Sequence, residues 1–223
     1  MKSAKPKIIF PRACRLLKDL SDEEFERICE CMHVRELRLR NRQMFIAESD
    51  PCASIGIVVT GAVRLTRQRI DGGRNVLETI PPNGVFGATY VFRDVSTMGI
   101  GMSAVGDTTV LLFEVANITQ PCHKVCSAHI KFVRNLLTVM SQTTFALKQK
   151  LRILSQRTIR ARLMLFLNIC AKRSKSNEFD IQFDRQALAD YLCVDRSALS
   201  AELSKLRGEG LVECAKNHFK LLG

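Results

Sequence analysis

The chain has 223 residues, of which 46% are apolar, so it is long enough for one or two domains with buried cores, and disorder is not expected. The net charge of +12 is concentrated in residues 123–223, which contain 18 basic against 8 acidic side chains, whereas residues 1–122 contain 16 against 14. A basic half favours a polyanionic partner, although a solvated basic surface has the same composition.

The expected compartment is the cytoplasm. The N-terminal apolar stretch ends at Pro11, which is too early for a signal peptide, and no apolar run is long enough to cross a membrane. The nine cysteines are scattered rather than arranged as a paired framework. Such thiols are typical of a protein in a reducing compartment.

The first elements in chain order are a short helix and a β domain. Ser21 and Glu24 form a capping-box pattern ahead of apolar residues at helical spacing. Over residues 34–115 the sequence pattern changes to brief apolar segments separated by glycines, which indicates short strands and turns. The segments are 34–39, 55–59, 63–65, 76–80 and 110–115. This pattern predicts a compact β sandwich or barrel.

Residues 123–156 then predict one long helix with an apolar seam. Its positions alternate steps of three and four, as in a coiled coil. The seam consists of Ile130, Val133, Leu137, Met140, Thr144, Leu147, Leu151 and Leu154. These apolar side chains must be buried against the chain's own β domain, against a second copy of the chain, or against both. Thr144 fits a self-pairing helix in which one polar position fixes the register, but a long core helix in a monomer has the same heptads.

The next segments predict a helix, a loop, a strand and a closing hairpin. The helix carries Ile159, Leu163, Leu167 and Cys170 on one face, and a polar loop follows over 172–177. Residues 179–184 alternate as in a strand, and 211–214 and 219–222 form two strands joined by a basic turn at 216–218.

Between the predicted strand and the hairpin lie two short helices separated by a tight turn. Asp184 and Asp195 stand at their N-cap positions, where a carboxylate accepts N–H groups of the first turn. Apolar residues form one face of each helix, and the outer face of the second carries Arg196, Ser197 and Ser200. A helix with polar groups near its N-terminus can enter a major groove, which predicts a DNA-binding helix-turn-helix.

The order of these parts resembles the family of the cyclic AMP receptor protein and the fumarate and nitrate reduction regulator, the CRP/FNR family. The resemblance extends from about Leu16 to Leu222 and is strongest over 183–211, with turn glycines matched at 60–63 and 83–87. It implies an α+β fold: a β-roll effector-sensing domain over 1–122, a dimerisation helix over 123–156 and a winged helix-turn-helix over 157–223. It also implies a homodimeric transcription regulator that reads a palindromic operator and works with RNA polymerase.

By this resemblance Arg196 corresponds to the family's base-reading arginine, and Ser197 and Ser200 face the groove. Arginine bound in bidentate fashion to guanine is a common base contact, although an exposed arginine paired with Asp195 is the alternative. Ala201 replaces an arginine that many members carry, so the operator of a relative does not transfer to this chain.

Four further residues are candidates for phosphate contacts. Arg185 and Gln186 begin the first of the two helices, and Lys216 and His218 belong to the predicted wing. Contacts of this kind position a protein on DNA without selecting a sequence.

The effector pocket departs from the members that bind cyclic AMP, which carry a glutamate after the second glycine of the Gly-Asp-Phe-x-Gly stretch and later an Arg-Ser or Arg-Thr pair. Here Gly87 is followed by Ala88 and Thr89, and residues 96–101 contain no arginine. A buried phosphate would lack its cation, so we expect an effector other than cyclic AMP. Arg93 is a candidate substitute, and the resemblance places Thr143 and Thr144 on the part of the long helix that faces the pocket.

Other sensing chemistries have weaker support. Cys14, Cys29 and Cys31 do not form the tight group that holds an iron–sulfur cluster in the family. The metal-capable residues Cys122, Cys126 and His129 share a helical face, but Cys126 also extends the apolar seam. Haem would need an axial histidine, and residues 34–115 contain none. We therefore expect neither a metal nor a cofactor.

Two rival classes are weaker than a DNA-binding regulator. A sensing module that controls a partner protein would not need the Arg196 face, and a β-roll enzyme would need a nucleophile–base pair or a histidine cluster. Within the favoured class, the alternative is a regulator of the same fold that has no ligand or that responds to thiol or metal state.

Overall fold

The computed structural model describes residues 8–69, 72–92, 99–120 and 126–222. The chain forms two compact units, Met1–Gln142 and Thr143–Gly223, which divide within one long helix. The first unit is a β-roll with flanking helices, and the second is a winged helix-turn-helix, so the predicted α+β fold is confirmed. Within the described ranges, no helix combines the length and apolar character needed to cross a bilayer.

The first unit begins with a 3-10 turn (Arg15–Leu17) and helix α1 (Asp22–Cys31). The predicted capping box is confirmed, because the Ser21 hydroxyl accepts the Glu24 N–H at 3.2 Å and the Glu24 carboxylate accepts the Ser21 N–H at 3.0 Å. The strands are β1 (Arg35–Leu39), β2 (Met44–Ile46), β3 (Ser54–Gln68), β4 (Arg74–Ile80), β5 (Val85–Phe86) and β6 (Gly101–Glu114). They pair antiparallel in the order β1-β6-β3-β4, with β2 on β6 and β5 on β3.

Strand β3 differs from the prediction. The segments 55–59 and 63–65 are two parts of one continuous strand, not two strands. Gly61, with φ +71, lies where the register against β6 shifts between Val58 and Ala62. The glycine that looked like a turn is therefore a bulge, which bends a long strand without ending it.

The β-roll has two apolar cores. The inner one includes Phe86 and Met102, and the outer one lies under the helices and includes Phe113 and Ile28. Gly56 is obligatory in the inner core because an added Cβ would lie 1.9 Å from the Phe86 ring on the paired strand. The aromatic ring thus occupies the space that this glycine leaves open.

After α2 (Val115–Thr119) comes the long helix α3 (Ser127–Leu154). Its side facing the β-roll buries Ala128, Phe132 and Leu136, with the Phe132 ring stacked 5.0 Å from that of Phe113. Two members of the predicted seam, Val133 and Met140, are half-buried against this core. Four other apolar members are exposed in the single chain, namely Ile130, Leu137, Leu147 and Leu151. The seam is therefore only partly covered by its own β domain.

The second unit contains α4 (Ile159–Ser174), β7 (Glu178–Asp180), α5 (Arg185–Leu192), α6 (Arg196–Gly208), β8 (Val212–Ala215) and β9 (His218–Leu221), with the sheet order β7-β9-β8. Three predicted boundaries were wrong. Residues 172–174 belong to the last turn of α4 rather than to a loop, because Lys175 closes that helix in the left-handed conformation. The strand predicted over 179–184 ends at Asp180, and His218 lies in β9 rather than in the turn.

Candidate nucleic-acid interface

The two helices of the helix-turn-helix are capped differently. The Asp184 carboxylate accepts the Ala187 N–H at 2.8 Å, as predicted. Asp195 occupies the N-cap position of α6, but its side chain makes no cap hydrogen bond. Between them, Cys193 ends α5 in the left-handed conformation with φ 53. The turn is therefore as short as predicted, while one of the two predicted cap bonds is missing.

Helix α6 has a fully buried side and a polar side. Leu199, Leu203 and Leu206 lie in the apolar core of the unit, where they fix the rotation of the helix about its axis. Arg196, Ser197 and Ser200 are all exposed. Across the described part of the chain, Arg196 makes no ion pair, so the alternative pairing with Asp195 is not observed. The guanidinium is consequently available to a partner outside the chain.

The two phosphate candidates on α5 lie in different surroundings. Gln186 is exposed, and its amide donates to the Asp190 carboxylate at 2.9 Å. Arg185 is half-buried and turns inward, with its guanidinium 5.1 Å from the centre of the Phe219 ring and Nη2 donating to Cys214 Sγ at 3.5 Å. Its Nη1 is buried without a partner in the described residues. Arg185 thus joins the start of α5 to the wing strands.

The wing candidates also differ. Lys216 is exposed at the tip of the β8–β9 turn and adopts the left-handed conformation with φ 51. His218 lies between two carboxylates of β7, with Nδ1 3.1 Å from Asp180 Oδ1 and Nε2 3.1 Å from Glu178 Oε1. The hydrogen bond to Asp180 and that to Glu178 raise the pKa of His218 above its ordinary value of 6.5. When both ring nitrogens carry protons, the ring donates to both carboxylates and ties β9 to β7.

This arrangement predicts a pH-dependent stability. Because the folded-state pKa is raised, the stabilisation by His218 is fully present below pH 6.5 and is lost as the pH rises through the folded-state value. We expect His218→Gln to lower the free energy of unfolding more at about pH 5.5 than at about pH 9, as measured by urea denaturation.

The matched control for this measurement is His33→Gln. His33 is an exposed histidine with no ion pair in the part of the chain that the structure describes. The pH dependence measured for His33→Gln is the reference against which that of His218→Gln is compared. If His218→Gln lowers the free energy of unfolding by the same amount at both pH values, the result would contradict the role of the charged ring.

Two arginines of α4 that the sequence did not single out hold α6 and the turn before it in place. Arg160 forms ion pairs with Glu209, at the end of α6, and with Glu202 at 3.9 Å. Arg162 donates from Nη1 to the carbonyls of Leu192 at 3.2 Å and Cys193 at 3.4 Å. Their only sequence signal is a pair of charges two positions apart on an apolar helix, which is a weak indication of contacts with distant residues.

The candidate effector residues are distributed over both units. Gly87 has φ +83, and an added Cβ would lie 2.5 Å from the Ser54 carbonyl oxygen, so backbone packing alone requires this glycine. Ala88 is half-buried and Thr89 is exposed. Thr143 and Thr144 are exposed on α3, in the second unit. Arg93 lies outside the described residues.

The residues considered as ligands of a metal or of an iron–sulfur cluster lie in separate surroundings. His129 is buried, and its Nε2 donates to the carbonyl of Ile118 at 2.8 Å, which ties α3 to α2. Burial raises the pKa of the Cys14 thiol, and burial with nearby Glu26 and Glu30 raises that of Cys29 to about 12. Cys122 lies outside the described residues. Among the described ones, no three metal-capable side chains form a group.

Comparison with known proteins agrees with this architecture. Residues 36–124 match the model of the cyclic nucleotide-binding domain, and residues 161–222 match that of the Crp-like helix-turn-helix domain. The chain is 25% identical over 165 residues to the nitrogen fixation regulation protein FixK of Rhizobium meliloti, covering 74% of this chain and 70% of that protein. It is 24% identical over 179 residues to the transcriptional activator protein FnrL of Cereibacter sphaeroides, covering 76% and 69%.

Among solved structures, the catabolite activator protein of Thermus thermophilus superposes with a TM-score of 0.53 at 20% identity, covering 93% of each chain. This likeness shows a common fold. The two matched domains lie in the order and at the positions that the β-roll and the winged helix occupy here. The chain therefore belongs to the CRP/FNR family of DNA-binding transcription regulators and is not an enzyme.

Proposed function

We propose that the chain acts as a homodimer that binds a palindromic operator. In this proposal residues 1–122 sense an effector, residues 123–156 form the dimerisation helix and residues 157–223 bind DNA. The observation that carries it is the exposed Arg196 face on a helix whose opposite side is buried in its own unit. A helix held in this way presents its first turn to the major groove without reorganisation.

Arg196 is proposed to read a guanine, with Ser197 and Ser200 beside it in the groove. A bidentate arginine contact discriminates against the wrong base by about 1–3 kcal/mol. Gln186 and Lys216 are exposed and are proposed to contact phosphates. The inward contacts of Arg185 and His218 favour a different role, in which these two side chains hold the wing rather than reach a phosphate.

The exposed part of the α3 seam supports the homodimer. Leu137, Leu147 and Leu151 expose 64%, 61% and 69% of their surface in the single chain. Exposed leucines at heptad spacing would be buried by the same helix of a second copy. A two-fold dimer then places two recognition helices in successive major grooves, about 34 Å apart.

The proposed effector is not cyclic AMP, because the chain lacks both the glutamate after Gly87 and an arginine within residues 96–101. The effector would act by binding one arrangement of the dimer more tightly than another. RNA polymerase is the proposed protein partner, since the family regulates transcription.

Selection from a random duplex pool tests the proposal. The purified chain is mixed with randomised double-stranded DNA at low salt, with and without small-molecule extract, and the retained duplexes are sequenced. We expect an inverted repeat with half-sites about 10 base pairs apart, bound by two chains, with affinity that falls steeply with salt and does not respond to cyclic AMP. Retention of no duplex under any of these conditions would refute DNA binding.

A further inference from the structure

Arg162 makes three hydrogen bonds to backbone carbonyls in two separate segments. Its Nε donates to Gln156 O at 2.9 Å. Its Nη1 donates to Leu192 O at 3.2 Å and to Cys193 O at 3.4 Å. The guanidinium is rigid and planar, so donors on its two sides hold the two segments at a fixed separation.

The first segment is continuous with the end of α3. Gln156 lies two residues after the end of α3, and the last turns of this helix are anchored in the DNA-binding unit. Ile153 is fully buried in the core of that unit, and the Lys150 ammonium lies 5.0 Å from the centre of the Tyr191 ring on α5. A displacement at the end of α3 would therefore reach the Gln156 carbonyl.

The second segment is the turn that precedes the recognition helix. Cys193 adopts φ 53, a left-handed conformation that is unfavourable for a non-glycine residue and persists where surrounding contacts impose it. The next helix, α6, begins at Arg196, and the side chain of its N-cap residue Asp195 makes no cap hydrogen bond. The Val194 N–H to Ala189 O bond, at 3.0 Å, is local to the turn, whereas the contacts of Arg162 fix the turn to α4.

We propose that Arg162 is a positioning residue for DNA recognition, which sets the start of α6 relative to the end of α3. The proposal rests on the proposed function, because it requires that α6 reads bases. In it, a movement of α3 reaches the base-reading surface through the Arg162 side chain. Arg162 does not contact DNA in this scheme. It determines where Arg196 points, and loss of its three bonds uncouples the turn from α3.

Two measurements on full-length variants test this role. Arg162→Met keeps the aliphatic stem and removes every donor, and Arg162→Lys keeps the charge but cannot bridge both segments. We expect Arg162→Met to lower affinity for the selected duplex by about tenfold. Its affinity for random DNA should fall no more than that of the control variant described below. The exposed Cys193 thiol should react with a maleimide several-fold faster, as mapped by mass spectrometry, with buried Cys14 as the internal reference. The lysine variant should be intermediate in both measurements.

The control is Arg157→Met, which removes the same charge from an exposed arginine near Gln156. Wild-type labelling of Cys193 and control-level DNA binding in Arg162→Met would overturn the proposal. If the methionine variant does not fold, wild-type behaviour of Arg162→Lys in both measurements would overturn it equally. If the wild-type chain selects no duplex, the proposed function fails, while the labelling of Cys193 still decides whether Arg162 holds the turn.

Discussion

Arg196→Ala should abolish the discrimination between the selected duplex and random DNA while leaving the fold intact. The side chain is exposed and makes no ion pair in the residues that the structure describes, so its removal costs the folded state little. On DNA, each copy would lose a bidentate base contact worth about 1–3 kcal/mol, and a dimer loses it in both half-sites. Fluorescence anisotropy with the two duplexes measures the ratio of affinities directly.

The matched control is Arg173→Ala, which removes one positive charge from the last turn of α4, outside the recognition helix. It should weaken binding to both duplexes alike and leave their ratio unchanged, because a phosphate or long-range contribution carries no sequence information. Discrimination that survives Arg196→Ala would mean that another surface reads the bases. A ratio that falls equally in both variants would mean that charge alone, rather than the guanidinium at this position, sets the specificity.

The helix-turn-helix was the most predictable part of the chain because its signals are local. Asp184 caps a helix within three residues of itself, and Leu199, Leu203 and Leu206 follow the helical period on one side of α6. An amphipathic pattern fixes which side is buried, and the opposite side then follows. The surface position of Arg196 could therefore be predicted from spacing, although its contact with DNA remains a prediction.

Contacts between distant residues could not be predicted in this way. Arg162 binds the carbonyls of residues 192 and 193, and His218 binds two acidic side chains that lie 38 and 40 positions earlier in the chain. A side chain that is charged in the sequence looks like a surface residue until the fold brings a partner to it. Arg185 and His218 were accordingly interpreted as phosphate contacts, whereas the fold surrounds them with wing residues.

The β region shows a second limit. Apolar segments interrupted by glycine predict strands and turns, but a glycine can mark a bulge within one long strand, as Gly61 does in β3. Strands β2 and β5 were not predicted, because each is only two or three residues long and so short a segment shows no alternation of apolar and polar residues. The strand pairing, which decides the β-roll, follows from contacts that are distant in sequence.

Leu147→Lys should convert the proposed homodimer to monomers in analytical ultracentrifugation. Leu147 exposes 61% of its surface in the single chain, and the next seam residue, Leu151, lies one helical turn later and is also exposed. Burial of a leucine contributes about 1.5–3 kcal/mol, and each of the two copies would lose it. An unpaired ammonium in the interface adds a desolvation cost. We expect the dissociation constant of the dimer to rise by about a thousandfold or more, which gives monomers at micromolar concentration.

The control for this experiment is Ala146→Lys, which adds the same charge one position earlier, at an exposed residue outside the seam. It should remain a dimer, since lysine is tolerated on an exposed helix face. Comparing the two variants distinguishes a seam that pairs with a second copy of the chain from a seam that packs only against its own β domain. Val133 and Met140 already pack against the β-roll, so a chain that used α3 only as a core helix would leave Leu147 without a partner. A dimer that persists in Leu147→Lys would therefore place the dimer contact on another surface, and the exposed leucines of α3 would need a different explanation.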